Sequence, residues 1–285
     1  MPNTAAADLA AGQIAMVGQA RYVYEHRTLC TKLFTKVTLG AGEKSIYFPK
    51  FGTITAGDLT DGQDMSNAQQ LTITGTTHTT DEAGCKVIIT KKLRQQMKED
   101  AYKAAGKVIG NAMLKKIDQD GLTLFSGLNA GVGTAGTNFS IDYLRAAISQ
   151  CYGQSEPVPL PLQAVLHPFQ YDDIVNELAT PGTNYYPQDT VSEYLQYYFR
   201  GNEKLFNCPI YVTGNITPDA NDDAYGAVFS KDALIYLVGW EPDNWVEEDK
   251  SLRGWEIGIV ADYGMVEEDG TYGRYLLFDA ATPTS

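Results

Sequence analysis

Cysteine, histidine and positive charge are all in short supply in these 285 residues: 4 Cys, 3 His, and 22 Lys or Arg against 35 Asp or Glu, for a formal net charge of -13. Cys30, Cys85, Cys151 and Cys208 form no CxxC pair and have no His at ligand spacing, so neither a thiolate metal site nor a disulfide framework is indicated. Free thiols in a reducing compartment are expected. His26, His78 and His167 stand in no nucleophile or metal motif, and GxSxG and HExxH are absent. His167, just before Pro168, reads as a structural residue at a strand end. The sequence has no run of about 18 apolar residues and no basic-then-apolar leader pattern, so no membrane association is expected and the chain is expected to be made and kept in cytosol. A net charge of -13 argues against a general nucleic-acid binder. With 44% hydrophobic and 20% charged residues, disorder of the whole chain is excluded and one or two ordinary cores are affordable.

The charge is unevenly spread. Residues 1 to 120 hold 15 basic and 12 acidic side chains, a balance of +3; residues 121 to 285 hold 7 and 23, a balance of -16. Such a split arises from two solvated surfaces of different sign, or from complementarity between subunits.

Residues 5 to 25 (AAADLAAGQIAMVGQARYVYE) are Ala-rich with a loose helical spacing, and too small-sided to form a core alone. KSIYFPKF (44–51) and QQLTITGTTHT (69–79) alternate apolar or β-branched with polar residues, which predicts two half-exposed strands of a long hairpin. The Gly-, Asp- and Ser-rich stretch between them supplies its tip. CKVIIT (85–90) reads as a strand leading into a helix over 91–118, whose apolar positions recur every three or four residues and for which Asp120-Gly121 supplies the stop. At ~1.5 Å per residue that helix is on the order of 40 Å long. Beyond a Gly-rich link, Ser140 is placed to cap a helix through Ile141, Leu144, Ile148 and Cys151. A short strand at 164–166, a helix opened by Pro168 and a third helix over 190–199 follow. The remainder is strand-like, at CPIYVTGNI, YGAVFS, ALIYLVGW, WEIGIVADYGMV and GRYLLFD. Strands and helices without βαβ regularity indicate an α+β class.

Gly131, Gly133 and Gly136 match GxGxxG, with Glu156 twenty residues on, which raises a nucleotide-binding enzyme as an alternative of a different class. The motif follows a helix rather than a strand, and the next helix opens only near Ser140, so a flexible link is the better reading. Asp219, Asn221 and Asp223 imitate a calcium loop, but Ala224 and Ser230 occupy the positions that require Gly and Glu. Glu247, Glu248 and Asp249 form an acidic run of the kind that is usually just hydrated. No catalytic, cofactor-binding or metal-binding residue is assigned.

In order and pattern the elements resemble the HK97-type major capsid proteins of tailed double-stranded DNA bacteriophages. The resemblance rests on the arm, the hairpin, the helix ending KKIDQDGLTLFSG, the step AVLHPFQYDDIVNEL, the turn and strand LFNCPIYVTGNI, and AYGAVFSKDAL followed by GIVADYGMV. It implies an N-terminal arm over 1–40, an extended E-loop over 41–82, a peripheral domain over 83–160 with a spine helix at 91–118, an axial domain over 161–227, and return strands to the peripheral domain over 228–285. It also implies a structural, non-enzymatic subunit of hexamers and pentamers in an icosahedral shell, located in the virion capsid and assembled in the host cytoplasm. The implied partners are the chain itself, a separate scaffolding protein, a portal, a possible decoration protein, and packaged DNA in non-specific contact. Encapsulin compartments share the fold and are the nearest structural alternative. The expected assembly contacts are Lys50, Phe51, Asp58, Asp61 and Asp64 on the hairpin, Lys103 and Lys107 on the long helix, and Tyr197 and Tyr198 in a Tyr-rich cluster.

Overall fold

A computed structural model describes residues 28–283 apart from 41, 63, 65–67, 97–100, 157 and 180–202. The arm up to residue 27, the helix expected over 190–199, and Tyr197 and Tyr198 lie outside the described residues.

The chain enters through a short helix α1 (Cys30–Leu33) and strand β1 (Thr35–Thr38). The hairpin forms from β2 (Ser45–Phe51) and β3 (Ile73–Thr79), antiparallel from Ser45↔Thr79 to Phe51↔Ile73, as a two-stranded sheet of its own. Next come β4 (Asp81–Thr90), helix α2 (Lys91–Gln96) and helix α3 (Ala101–Thr123). The remaining elements are α4 (Ile141–Tyr152), β5 (Leu162–Leu166), α5 (Pro168–Ala179), β6 (Glu203–Leu205), β7 (Cys208–Val212), β8 (Asp223–Ser230), β9 (Leu234–Asp249), β10 (Gly254–Glu267) and β11 (Gly273–Asp279).

Two sheets organise the body. A four-stranded sheet has the order β1-β9-β10-β4, and a five-stranded sheet the order β11-β8-β5-β7-β6. The segment from residue 228 onward is shared between them, with β9 and β10 in the first and β11 in the second. β5 and β8 are almost wholly buried and correspondingly rich in Ala, Val and Leu. Phe278 packs edge-on against Phe139, and together with Ile141, Leu144, Leu166, Ile174 and Ile210 it fills one core. A second core gathers Phe34, Ile117, Phe125, Phe229 and Leu234, with Phe229 touching both Phe34 and Phe125.

Helix α3 is the beam. Ile109, Met113 and Ile117 recur every fourth residue on its buried face, which lies against β4 and β10. The helix does not stop at Asp120-Gly121 but runs on to Thr123, then tightens into a 3₁₀ turn over Leu124–Gly127. Gly121 is a contact point: a Cβ there would lie 2.8 Å from the Cβ and Sγ of Cys30, so the missing side chain is what lets α1 seat. Asp120 accepts a 2.7 Å hydrogen bond from the Tyr263 hydroxyl of β10.

One turn earlier, Asp118 is fully buried. Its Oδ1 accepts from the backbone N–H groups of Leu29 (2.8 Å) and Cys30 (2.9 Å), and its Oδ2 from the Asn215 side-chain amide (2.7 Å). One carboxylate thus joins the entry helix, the beam and the loop after β7.

Ser140 stands at the N-cap of α4, yet its side chain makes no capping bond. Two carboxylates of α5, one turn apart, do the work instead. Glu177 accepts from Ile141 N–H (2.9 Å) and Asp173 from Phe139 N–H (3.1 Å).

Replacing Asp118 by Ala strands two buried donors, Cys30 N–H and the Asn215 amide, and the half-buried N–H of Leu29. Asp118→Ala is expected to lower the stability of the chain by about 3 kcal/mol, each unsatisfied buried donor costing about 1–3 kcal/mol with partial relaxation. Asp118→Asn, which keeps one acceptor, should lose less. The urea midpoints of the two variants at unchanged slope check this ordering.

Candidate assembly surfaces

The hairpin carries most of the expected contact residues. Along β2, exposure alternates: Ile46, Phe48 and Lys50 are half-buried on one face, and Ser45, Tyr47, Pro49 and Phe51 are open on the other. Beyond the paired rungs the tip is exposed throughout its described length, including Asp58, Asp61 and Asp64. Large apolar side chains are out in solvent here: Phe51 is 59% exposed, Ile54 65%, Leu59 70% and Ile73 57%. A cluster of this kind is unusual on a protein that works alone.

Lys50 differs from its neighbours. Its ammonium hydrogen-bonds Asp269, lies 3.7 Å from Glu156 and sits 5.5 Å from the centre of the Tyr272 ring. The hydrogen bond to Asp269 raises the Lys50 pKa, and the same bond helps to hold the Asp269 carboxyl below its usual range. Lys50 therefore touches its own subunit.

On helix α3, Lys107 is exposed beside Val108 and Leu114, which are 54% and 47% exposed; the Lys103 side chain lies outside the described residues.

A surface that the sequence reading passed over is the ribbon of β9 and β10. β9 continues past Trp240 to Asp249 with residues 240 to 248 all exposed, including Trp245 and Val246. The signal was available: the chain stays extended through EPDNWVEED despite its acidity. Gly258 of β10 makes room for Trp245, and Trp255 is covered by Lys91 and Arg94 at 5.5 and 4.6 Å from its ring centre. The acidic run that ends the strand is used structurally. Glu248 pairs with Lys91 at 2.8 Å, and Asp249 accepts from Ser251 and Leu252 in the ribbon turn, bonds that hold its carboxyl below the usual range.

The Gly-rich link is packing, not a phosphate cradle. Val132 bridges to Leu276 of β11; a Cβ on Gly131 would fall 1.8 Å from Tyr275, and one on Gly133, at φ 99°, 2.2 Å from Phe278. Gly136 N–H donates to buried Asp223 at 2.6 Å. In the turn that imitates a calcium loop, Asp219 accepts from the N–H groups of Asn221 and Asp223. Among the described residues no group of three or more His, Cys, Asp or Glu is placed to hold a metal, and no helix is long and apolar enough to cross a membrane. His167 is buried at the end of β5, its ring edge-on to Phe169.

All four cysteines are free thiols. Burial pushes Cys208 up to about 12, and raises Cys30, where the Asp118 charge adds to it. In native protein at pH 8, a thiol-reactive disulfide reagent is expected to modify half-buried Cys85 slowly and to leave the other three untouched until denaturant is added. Peptide mapping of the labelled cysteines reads this directly.

No protein-family model matches the chain, and no curated protein matches it. Solved structures do. The chain is similar to a structure from Mycobacterium phage Che8, at 15% identity and a TM-score of 0.72 over 92% of this chain and 94% of that one. It is similar to the capsid asymmetric unit of cyanophage Pam1, at 13% identity and a TM-score of 0.71 over 93% and 95%. The capsid of Ralstonia phage GP4 gives 12% identity and a TM-score of 0.71 over 94% and 95%. The chain therefore has the α+β, HK97-type fold of phage capsid subunits, over nearly its whole length.

Proposed function

We propose that this chain is a major capsid protein, a structural and non-catalytic subunit that self-assembles into the hexamers and pentamers of an icosahedral phage shell. The observation that carries this reading is the two-way coverage: more than nine-tenths of this chain aligns with more than nine-tenths of each capsid chain. The exposed hairpin supports it. Burying one large aliphatic or aromatic side chain contributes about 1.5–3 kcal/mol, so the tip offers a neighbour a favourable surface that its own body leaves in water. The proposed domain division is arm, hairpin, peripheral part with the beam, axial part, and returning strands.

Scaffolding protein, portal and decoration protein are the further partners this role requires. Packaged double-stranded DNA meets a wall whose net charge is negative, so contact with it is non-specific and weak. The virion capsid is the proposed location, with assembly in the host cytoplasm. Phe51, Asp58, Asp61 and Asp64, with Lys103 and Lys107, are the proposed contacts between copies.

Size-exclusion chromatography and negative-stain microscopy test the role itself, since capsomers or shells are expected from purified protein. A small oligomer that never forms them and binds nucleotide would overturn it. Deleting residues 54–66 should leave a folded, soluble subunit that does not close regular shells, because the tip supports no core of its own. Normal shells from the deleted protein would show that the tip is dispensable.

The charge split leads to a second expectation. Lys103→Glu with Lys107→Glu should impair assembly more at low salt than at high salt, since repulsion between exposed charges is screened beyond roughly 10 Å at 0.1 M. Light scattering during assembly across a salt series distinguishes this from an effect on folding, which would not follow ionic strength in the same way.

A further inference from the structure

Both strands of the hairpin meet one acidic turn of their own chain, Glu267-Glu268-Asp269, between β10 and β11. From β2, the Lys50 ammonium enters a socket made of Asp269, Glu156 and the Tyr272 ring. From β3, His78 Nε2 bonds to the Thr76 hydroxyl (3.0 Å) and stands 3.8 Å from Glu268, beyond hydrogen-bond reach, with its ring tilted against Phe48. Ile46 is paired with His78 and Lys50 with Thr74, so Lys50 and His78 lie four residues apart along the ribbon, roughly 13 Å. Lys50 makes the charged attachment, and His78 stands beside the same turn.

The socket is built from behind. Asp269 also accepts from Thr271 N–H (3.0 Å) and the Thr271 hydroxyl (2.6 Å), and its side chain is only 11% exposed, so the anion is already held where Lys50 must reach it. Glu267 lies against Gly127 and Gly270, its carboxylate oxygens taking up the space that a Cβ on either glycine would enter. Glu268 has an inward oxygen that receives no hydrogen bond. Asp269 and Glu156 both pair with the ammonium, with Glu268 next to Asp269 in the turn, and Lys50 is the cation on which this arrangement turns.

We infer that Lys50 is an intramolecular clamp that sets the angle at which the hairpin leaves the body, before any neighbouring copy is present. The inference deepens the reading of the hairpin as a contact between copies, and moves Lys50 from contact residue to positioning residue. A two-stranded ribbon is marginal by itself. Loss of the clamp therefore also loosens the β2–β3 ladder.

The test uses the unassembled full-length chain and hydrogen–deuterium exchange of peptides covering 45–51 and 73–79, with β8 as the internal control. Lys50→Met should speed exchange in both hairpin strands by about fivefold, the Lys50 side chain being 43% exposed, and leave β8 unchanged. Lys50→Arg should stay near wild type. The charge exchange Lys50→Asp with Asp269→Lys should recover part of the loss that either change causes alone. Unchanged exchange in Lys50→Met, or no recovery in the exchanged pair, overturns the clamp. Because no shell is needed for the readout, a protected hairpin in a chain that never assembles would count against the shell reading and leave the clamp standing.

Discussion

A buried carboxylate with three donors aimed at it is the constraint on which the rest of this structure hangs. Asp118 carries a charge into a fully buried position, which is tolerable only because Leu29, Cys30 and Asn215 supply the hydrogen bonds that water would otherwise give. Those donors come from two regions far apart in the chain, Leu29-Cys30 and Asn215. Meeting at one side chain, they fix the register of the entry helix on the beam and of the beam on the loop following β7. Gly121 completes the arrangement one turn on by letting Cys30 and Phe34 come close.

From that point the body extends in two directions. The four-stranded sheet and α3 form one layer pair, with β9 and β10 running out beyond the core as a ribbon. The five-stranded sheet with α4 and α5 forms the other. Phe229 and Leu234, at the end of β8 and the start of β9, belong to the core around the beam, so the chain passes between the sheets through one core with only Lys231 and Asp232 exposed at the turn. The parts that project, hairpin and ribbon, carry many of the exposed aromatic and aliphatic groups, with Val108 and Leu114 of the beam adding to them. That distribution separates what holds one subunit together from what is available to join two.

Much of this was legible in the sequence. Period-two alternation located both hairpin strands to within a few residues, and apolar residues at three- and four-residue intervals from Leu93 to Met113 marked the beam, although Val108 among them is exposed and the buried stripe is Ile109, Met113 and Ile117. What local patterns could not show were the places where distant residues supply the partner. Asp120-Gly121 has the composition of a helix stop, but tertiary contacts to Tyr263 and Cys30 keep the helix going. Ser140 has the right side chain for a cap and is displaced by two acids from another helix. Lys50 reads as a surface charge on an alternating strand, and its acidic partner lies 219 residues away in the chain. The Gly-rich link matched a phosphate motif by spacing, whereas Tyr275 and Phe278 account for two of its glycines.

The capping of α4 by α5 also bears on the order in which the chain can acquire structure during synthesis. A helix of 12 residues is marginal on its own in water, and the first turn of this one is completed by side chains made later, at positions 173 and 177. As the chain emerges from the ribosome, residues 141 to 152 can sample the helix but not keep it until α5 has followed. The two helices then settle together as one cooperative unit. A nascent chain halted between them would present the apolar face of α4 to the cell, which makes that interval the one where a chaperone has most to hold.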